Sequence, residues 1–282
     1  MNLSDNPTWK SAAVADLAFI LLSPSLINED SASFILNSDK IINWLKALDQ
    51  NDLSLQLHLK RKKIRKLGWY AEELMTFFFS NYPDYNLLGH NIQLFDGNST
   101  KGEIDFILED VQTNKIIQIE LATKFYLHYN LDNSTVFIGP NASDNFDRKY
   151  HHLLNHQLRA NNPKEVQELT KNRPIDLAVP FIKGVLFYPL KNPRATTNFN
   201  YISPFHNRGW YCSLAELLEN NEIRELWSIT KMNWLGLSDP KKISRKEFKT
   251  HFTELFKEGN RAIMVLNNCN ERGFIMSDEW PN

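Results

Sequence analysis

Three features of the sequence predict an α/β fold. A strongly apolar stretch at residues 67–80 has helical spacing. Three alternating segments follow at 87–95, 102–108 and 115–125, and a second amphipathic stretch at 144–159 leads to an apolar, β-rich segment at 181–190. The order is helix, three strands, helix, strand.

Each element has its local reason. Residues 1–59 read as a helical, mildly acidic lead-in: one helix over 9–22, and a second over 40–48 with Ile41, Ile42, Leu45 and Leu48 at helical spacing. The helix at 67–80 is apolar nearly all round, which marks a buried helix, and it ends before Pro83. Asp96-Gly97-Asn98 supplies a turn after the first strand, because these residues tolerate the left-handed conformation. In the helix at 144–159, Phe146, Tyr150, Leu153, Leu154 and Leu158 share a face, and Asp144 and Asp147 fall in the first turn, at the positive end of the helix dipole. Pro163 and Pro174 bracket a short polar helix. Residues 60–190 form the core on this reading, and 191–282 an α+β C-terminal extension packed on it. The extension is expected to hold a strand at 198–205, helices at 214–220, 223–231 and 245–256, and a strand pair at 261–266 and 273–277.

Composition narrows the function classes. The 282 residues carry 32 Lys and Arg against 33 Asp and Glu, so any attraction to a polyanion must be local. With 42% hydrophobic and 23% charged residues the chain is an ordinary folded protein. The two cysteines, Cys212 and Cys269, stand apart and exclude a disulfide framework and a cysteine-based zinc knuckle. A cytoplasmic setting without signal peptide or membrane span is expected, since the apolar run at 14–22 contains Asp16 and stops at Pro24. GxGxxG, GxxxxGK[ST] and GxSxG are all absent, which leaves a small-molecule enzyme without support.

The chemistry concentrates around the loop at 111–114. If Asp110 pairs with Lys115, antiparallel partners sum to 225, and Asp105 faces Glu120, Glu103 faces Ala122 and Ile107 faces Gln118. The opposite face then receives Ile104, Phe106 and Leu108 against Leu121, Ile119 and Ile117, all apolar. A slip of one residue would send carboxylates into the core. Side-by-side carboxylates repel unless a proton, a cation or a basic group sits between them. Lys124 lies on the same strand face as Glu120. Glu72, on the apolar helix between Trp69, Met75 and Phe79, is a partly buried acid in need of a partner, and Glu73 stays open as an alternative. Carboxylates and a lysine make a hard, oxygen-rich site suited to Mg²⁺ or Mn²⁺, and phosphodiester hydrolysis is the favoured reaction class. The plain alternative is a surface salt-bridge patch.

Gly68-Trp-Tyr-Ala-Glu72, Gly102-Glu-Ile-Asp105 and Ile119-Glu120, in the order αβββαβ, resemble the PD-(D/E)XK nuclease superfamily. More narrowly, these segments with Glu120-Leu-Ala-Thr-Lys-Phe-Tyr, Gly139-Pro-Asn and His156-Gln-Leu are similar to the bacterial family called domain of unknown function 1853. The resemblance is strong over residues 60–190 and weak elsewhere. It implies a restriction-endonuclease-like core with a mixed sheet, Asp105 and Glu120 as metal ligands, Glu72 as accessory ligand, Lys124 as catalytic lysine and a place for Gln157 in the site. One position departs: the superfamily's lysine follows the glutamate by two residues, where this chain has Ala122. Lys124 keeps the face but sits about 6.6–6.8 Å farther along the strand. Two readings follow: a metal-dependent nuclease acting on DNA or structured nucleic acid, or a nuclease-fold module without chemistry that binds nucleic acid or a protein partner.

The basic residues fit a polyanion. Lys60, Arg61, Lys62, Lys63, Arg65 and Lys66 precede the first core helix, and Arg148, Lys149, His152, His156 and Arg159 form the polar side of the second. Such phosphate contacts give affinity with little sequence specificity. His152 and His156 are spaced like a helical zinc pair but lack the HExxH context. Phe77-Phe78-Phe79 reads as core, the Gly139-Pro-Asn141 segment as a turn on the rim of the site, and Trp227, Trp234 and Leu235 as packing residues.

Overall fold

A computed structural model describes residues 8–28, 38–97, 99–131, 134–153, 163–195 and 199–281. The lead-in forms three helices, α1 (Ala12–Leu22), α2 (Ser38–Gln50) and α3 (Leu53–Lys60). Ser11 caps α1 by accepting the Val14 N–H, and Ser23, extended as the residue before a proline must be, ends it. α1 buries residues on nearly every side and lies in the main core with α4 (Leu67–Asn81), whose Leu74, Met75, Phe77, Phe78 and Phe79 are all buried. The assignment of Phe77-Phe78-Phe79 to the core holds: Phe79 meets Phe106 edge-on at 5.3 Å.

The three expected strands are β1 (Tyr85–Asp96), β2 (Ser99–Asp110) and β3 (Ile116–Leu131). Left-handed Gly97 turns the first hairpin. The second closes over residues 111–114, where the Asp110 carboxylate accepts the N–H groups of Gln112 and Thr113 and Asn114 takes a left-handed conformation. The register sums to 225 as expected, from Phe106 opposite Ile119 to Glu109 opposite Ile116. One expectation of the pattern fails. Ile104 is buried with Ile107, Ile116 and Val166, away from the cluster holding Phe106, Leu108, Ile117 and Ile119. The β2–β3 ladder ends at Phe106, and left-handed Asn91 stands in the neighbouring strand between the partners of Phe106 and Ile104, so the alternation does not carry across this point.

A strand not expected from the sequence, β4 (Ser134–Ile138), folds back on β3. The helix expected at 144–159 is described as α5 (Phe146–His152), capped by Asn145, and α6 (Lys164–Thr170) lies between Pro163 and Pro174. Then β5 (Leu177–Pro189) runs parallel to β3 from Ile117 opposite Leu177 to Leu127 opposite Phe187.

The final third joins the same sheet. It adds β6 (Arg208–Ser213), α7 (Leu214–Glu219), β7 (Glu225–Ile229), β8 (Lys241–Ser244), α8 (Phe248–Lys257), β9 (Ala262–Leu266) and β10 (Arg272–Met276). Among the described residues the result is a mixed ten-stranded sheet, ordered β1-β2-β3-β5-β6-β10-β9-β7-β8 with β4 on β3. Residues 223–231, expected as a helix, instead supply β7, because Trp227 to Ile229 are drawn into pairing with β9. The strand expected at 198–205 reduces, within the described residues, to one bridge between Ile202 and Ile27. The strand pair near the end is present as β9 and β10, and Trp234 and Leu235 are buried as packing residues.

A buried polar clamp ties the first helix to this third. Asp16 of α1 accepts hydrogen bonds from the Tyr70 hydroxyl at 2.8 Å and the Gly236 N–H at 2.6 Å. Arg272 donates to the carbonyls of Trp234 and Leu235 and lies over the Phe19 ring. Burial pushes the Asp16 carboxyl up to about 6, opposed by these hydrogen bonds and by the Arg272 charge. Among the described residues no helix is long and apolar enough to cross a membrane.

Candidate active site

The site begins where the β2–β3 ladder stops. Beyond the Phe106–Ile119 pair, side chains replace backbone pairing: the Asp105 carboxylate accepts the Leu121 N–H at 2.7 Å, and the Asp105 N–H points at the Glu120 carboxylate. Glu120 also accepts a hydrogen bond from the Gln118 amide at 2.8 Å, while its second oxygen, Oε2, is buried without a partner. Only 1% of Glu120 is exposed. Burial is the main force raising both acids, Asp105 to about 6 and Glu120 to about 8, and the Asp105 charge adds to the shift on Glu120.

Glu72 comes to the same place from the first half of α4. It lines, with Asp105, Glu120, Ala122, Lys124 and Lys149, a cavity of about 240 Å³. Burial pushes it up to about 7, helped by the charges of Asp105, Glu103 and Glu73. Its neighbour Glu73, which the sequence left open, faces elsewhere: its carboxylate pairs with Lys62 at 3.0 Å and His58 at 3.1 Å. Glu103 contributes field to all three acids while accepting a hydrogen bond from Gln93.

Lys124 lines the cavity from β3, and its ammonium lies 3.5 Å from Asp144 Oδ2. The Tyr126 hydroxyl donates to the same oxygen at 2.9 Å. Desolvation lowers the Lys124 pKa, and Asp144 opposes that shift. The sequence placed Asp144 in the first turn of a helix. In the structure Asn145 is the cap, so Asp144 is the last loop residue and is free to face Lys124. Gly184 sets the strand spacing here. Its φ is 147°, and a Cβ would sit 1.7 Å from the Lys124 carbonyl oxygen.

Gly68, Thr123 and Lys124 are shared with a second cavity of about 470 Å³, lined also by Arg65, Lys66, Gly139, Pro140, Asn141, Asp144, Lys231 and Trp234. The two make one groove, carboxylate-floored at one end and cation-edged along the rest. The Gly139-Pro140-Asn141 turn lines its rim, steadied by a hydrogen bond from the Trp280 indole to the Pro140 carbonyl. Of the basic residues singled out by sequence, Arg65, Lys66 and Lys149 line the groove. Lys60, Arg61 and Lys63 are exposed around the end of α3, Lys62 is taken by Glu73, and Arg148 and His152 are exposed on α5 without lining it. His156, Gln157 and Arg159 lie outside the described residues. Lys231 had no sequence signal, sitting in a short 3-10 turn far from any basic run.

Among the described residues, no group of three or more His, Cys, Asp and Glu side chains could hold a metal ion. Asp105 and Glu120 form a pair, with Glu72 across the cavity. Such a pair fits Mg²⁺, which takes one or two carboxylates and keeps several waters, and the unpartnered Glu120 Oε2 is the kind of buried oxygen a cation satisfies.

Fold and site together define a mixed α/β protein with paired buried carboxylates opening into a basic groove. The chain belongs to the family described as domain of unknown function (DUF1853), whose model matches residues 15–277. No curated protein and no solved structure matches the chain.

Proposed function

We propose that this protein is a metal-dependent nuclease that hydrolyses phosphodiester bonds of DNA or structured nucleic acid. The observation that carries the reading is the meeting of Asp105, Glu120, Glu72 and Lys124 in one cavity that continues into a cation-edged groove. The antiparallel β1-β2-β3 unit with β5 parallel to β3, between α4 and α5, supports a restriction-endonuclease-like core.

Asp105 and Glu120 would hold Mg²⁺ or Mn²⁺, and Glu72, across the cavity, would serve as an accessory to the ion's water shell in place of a third direct ligand. A bound divalent cation would polarise the phosphoryl oxygen and lower the pKa of water. The protein's own residues do the rest. The Leu121 N–H orients Asp105, and the Gln118 amide orients Glu120, so the pair is built before any ligand arrives. Lys124 brings positive charge to the strand face where Ala122 leaves space, and Asp144 with Tyr126 keeps its ammonium at the groove. Arg65, Lys66, Lys149 and Lys231 hold the backbone phosphates on either side.

The Lys124–Asp144 pairing also favours a second reading, a binding module whose lysine is committed to structure. Purified protein with labelled DNA and Mn²⁺ separates the two. Cleavage that is lost in Asp105→Ala and in Lys124→Ala supports the nuclease. Cleavage unchanged in both, or absent from the wild type, overturns it.

A further inference from the structure

We infer that Trp69 is a stacking platform for an unpaired nucleobase, so that the groove takes a single strand. The inference deepens the nucleic-acid reading above and rests on it. Positions 66, 69 and 72 recur at three-residue spacing and share one side of the start of α4. Lys66 lines the outer cavity and Glu72 the inner one, and Gly68 lines both. Trp69 lines neither cavity, but it follows Gly68 directly and lies one helical step from both Lys66 and Glu72, so its ring stands beside the mouth of the groove. The helix is bare there, since a Cβ on Gly68 would meet nothing within 4 Å.

The exposure of Trp69 is not explained by packing. The chain has seven tryptophans, and the other six are all built into its hydrophobic clusters: Trp9, Trp44, Trp227, Trp234 and Trp280 in the main core, and Trp210 in the cluster under α8. Trp69 belongs to none and is 49% exposed. On the same helix Phe77, Phe78 and Phe79 are exposed by 4% or less. Among the described residues the ring is met by the Lys66 ammonium, 4.8 Å from its centroid. A flat, polarisable ring beside a cation-lined groove is the pairing that binds single strands, with charge holding the backbone and the aromatic face accepting any base. A fully paired base has both faces covered and gains nothing from Trp69.

Binding is measured by anisotropy of a short labelled single-stranded oligonucleotide in EDTA, where cleavage plays no part. Trp69→Ala is expected to weaken binding about tenfold, and Trp69→Phe to stay within about threefold of wild type. An abasic strand of the same length keeps the phosphates and loses the stack. It should bind the wild type weakly and be indifferent to Trp69→Ala. The inference is overturned if Trp69→Ala binds the normal strand like wild type, if it weakens the abasic strand equally, or if neither strand binds. Failure of the nuclease reading is separable: it would appear as a Trp69-dependent single-strand complex that Mn²⁺ does not convert to product.

Discussion

Replacing Glu120 by glutamine should make the metal-free protein more stable at neutral pH. In the native state burial and the Asp105 charge raise this carboxyl from 4.5 to about 8. Between those two values the folded state binds the proton that the unfolded state has released, so stability falls as pH rises through the window. At pH 7 the unfolded chain gains about 1.4 kcal/mol for each of the 2.5 pH units above its own pKa, while the folded state gains almost nothing, a net loss on the order of 3 kcal/mol. Spread over the unfolding entropy of a chain of 282 residues, that is about 5 °C in melting temperature. Glutamine keeps the shape and an oxygen for the Gln118 amide, and it has no charge to desolvate. Thermal melts in EDTA at pH 5 and pH 7 test this: the wild type should lose ground to Glu120→Gln on going to pH 7. Mn²⁺ should stabilise the wild type more at pH 7 than at pH 5, since ligands must be deprotonated, and should do little for the variant. A variant less stable than wild type at pH 7 in EDTA refutes the account of a strained carboxylate pair.

Three further outcomes are expected. On the proposed nuclease reading, Asp144→Asn removes the charge that holds up the Lys124 pKa, so the alkaline limb of the cleavage profile should move to lower pH and the rate fall at least about tenfold, as a pH–rate comparison reads directly. Gly184→Ala forces a Cβ into the Lys124 carbonyl, and a large fall in melting temperature or failure to fold is expected, against little change for Gly68→Ala, whose Cβ meets nothing. Arg272→Ala leaves Asp16 and two buried carbonyls without their cation, which should cost about 3–5 kcal/mol by urea unfolding.

The carboxylate pair was legible from the paired stretch of its strands, where period two puts Phe106 and Leu108 on one face with Ile117 and Ile119. Phe106, Leu108, Ile117 and Ile119 fix the register, and the register fixes Asp105 beside Glu120. What local pattern does not carry was missed. Residues 225–229 become a strand because β9 on one side and β8 on the other offer edges, partners that the segment itself does not announce. Asp144 was displaced by a single capping residue, since Asn145 accepts the Arg148 N–H in its place and frees Asp144 for Lys124. Lys231 enters the groove through tertiary folding alone, and Ile104 departs from its strand's alternation where the ladder ends.

The Asp16 clamp also has a consequence for synthesis. The residue that closes it on the far side, Gly236, follows Asp16 by 220 positions. At roughly 5–20 residues per second, a ribosome needs on the order of 10–40 s to travel that distance. Throughout that interval α1, with its run of Leu17, Ala18, Ile20 and Leu21, is already made while its last partner does not exist. The nascent chain therefore carries an incompletely covered greasy helix for much of its own translation.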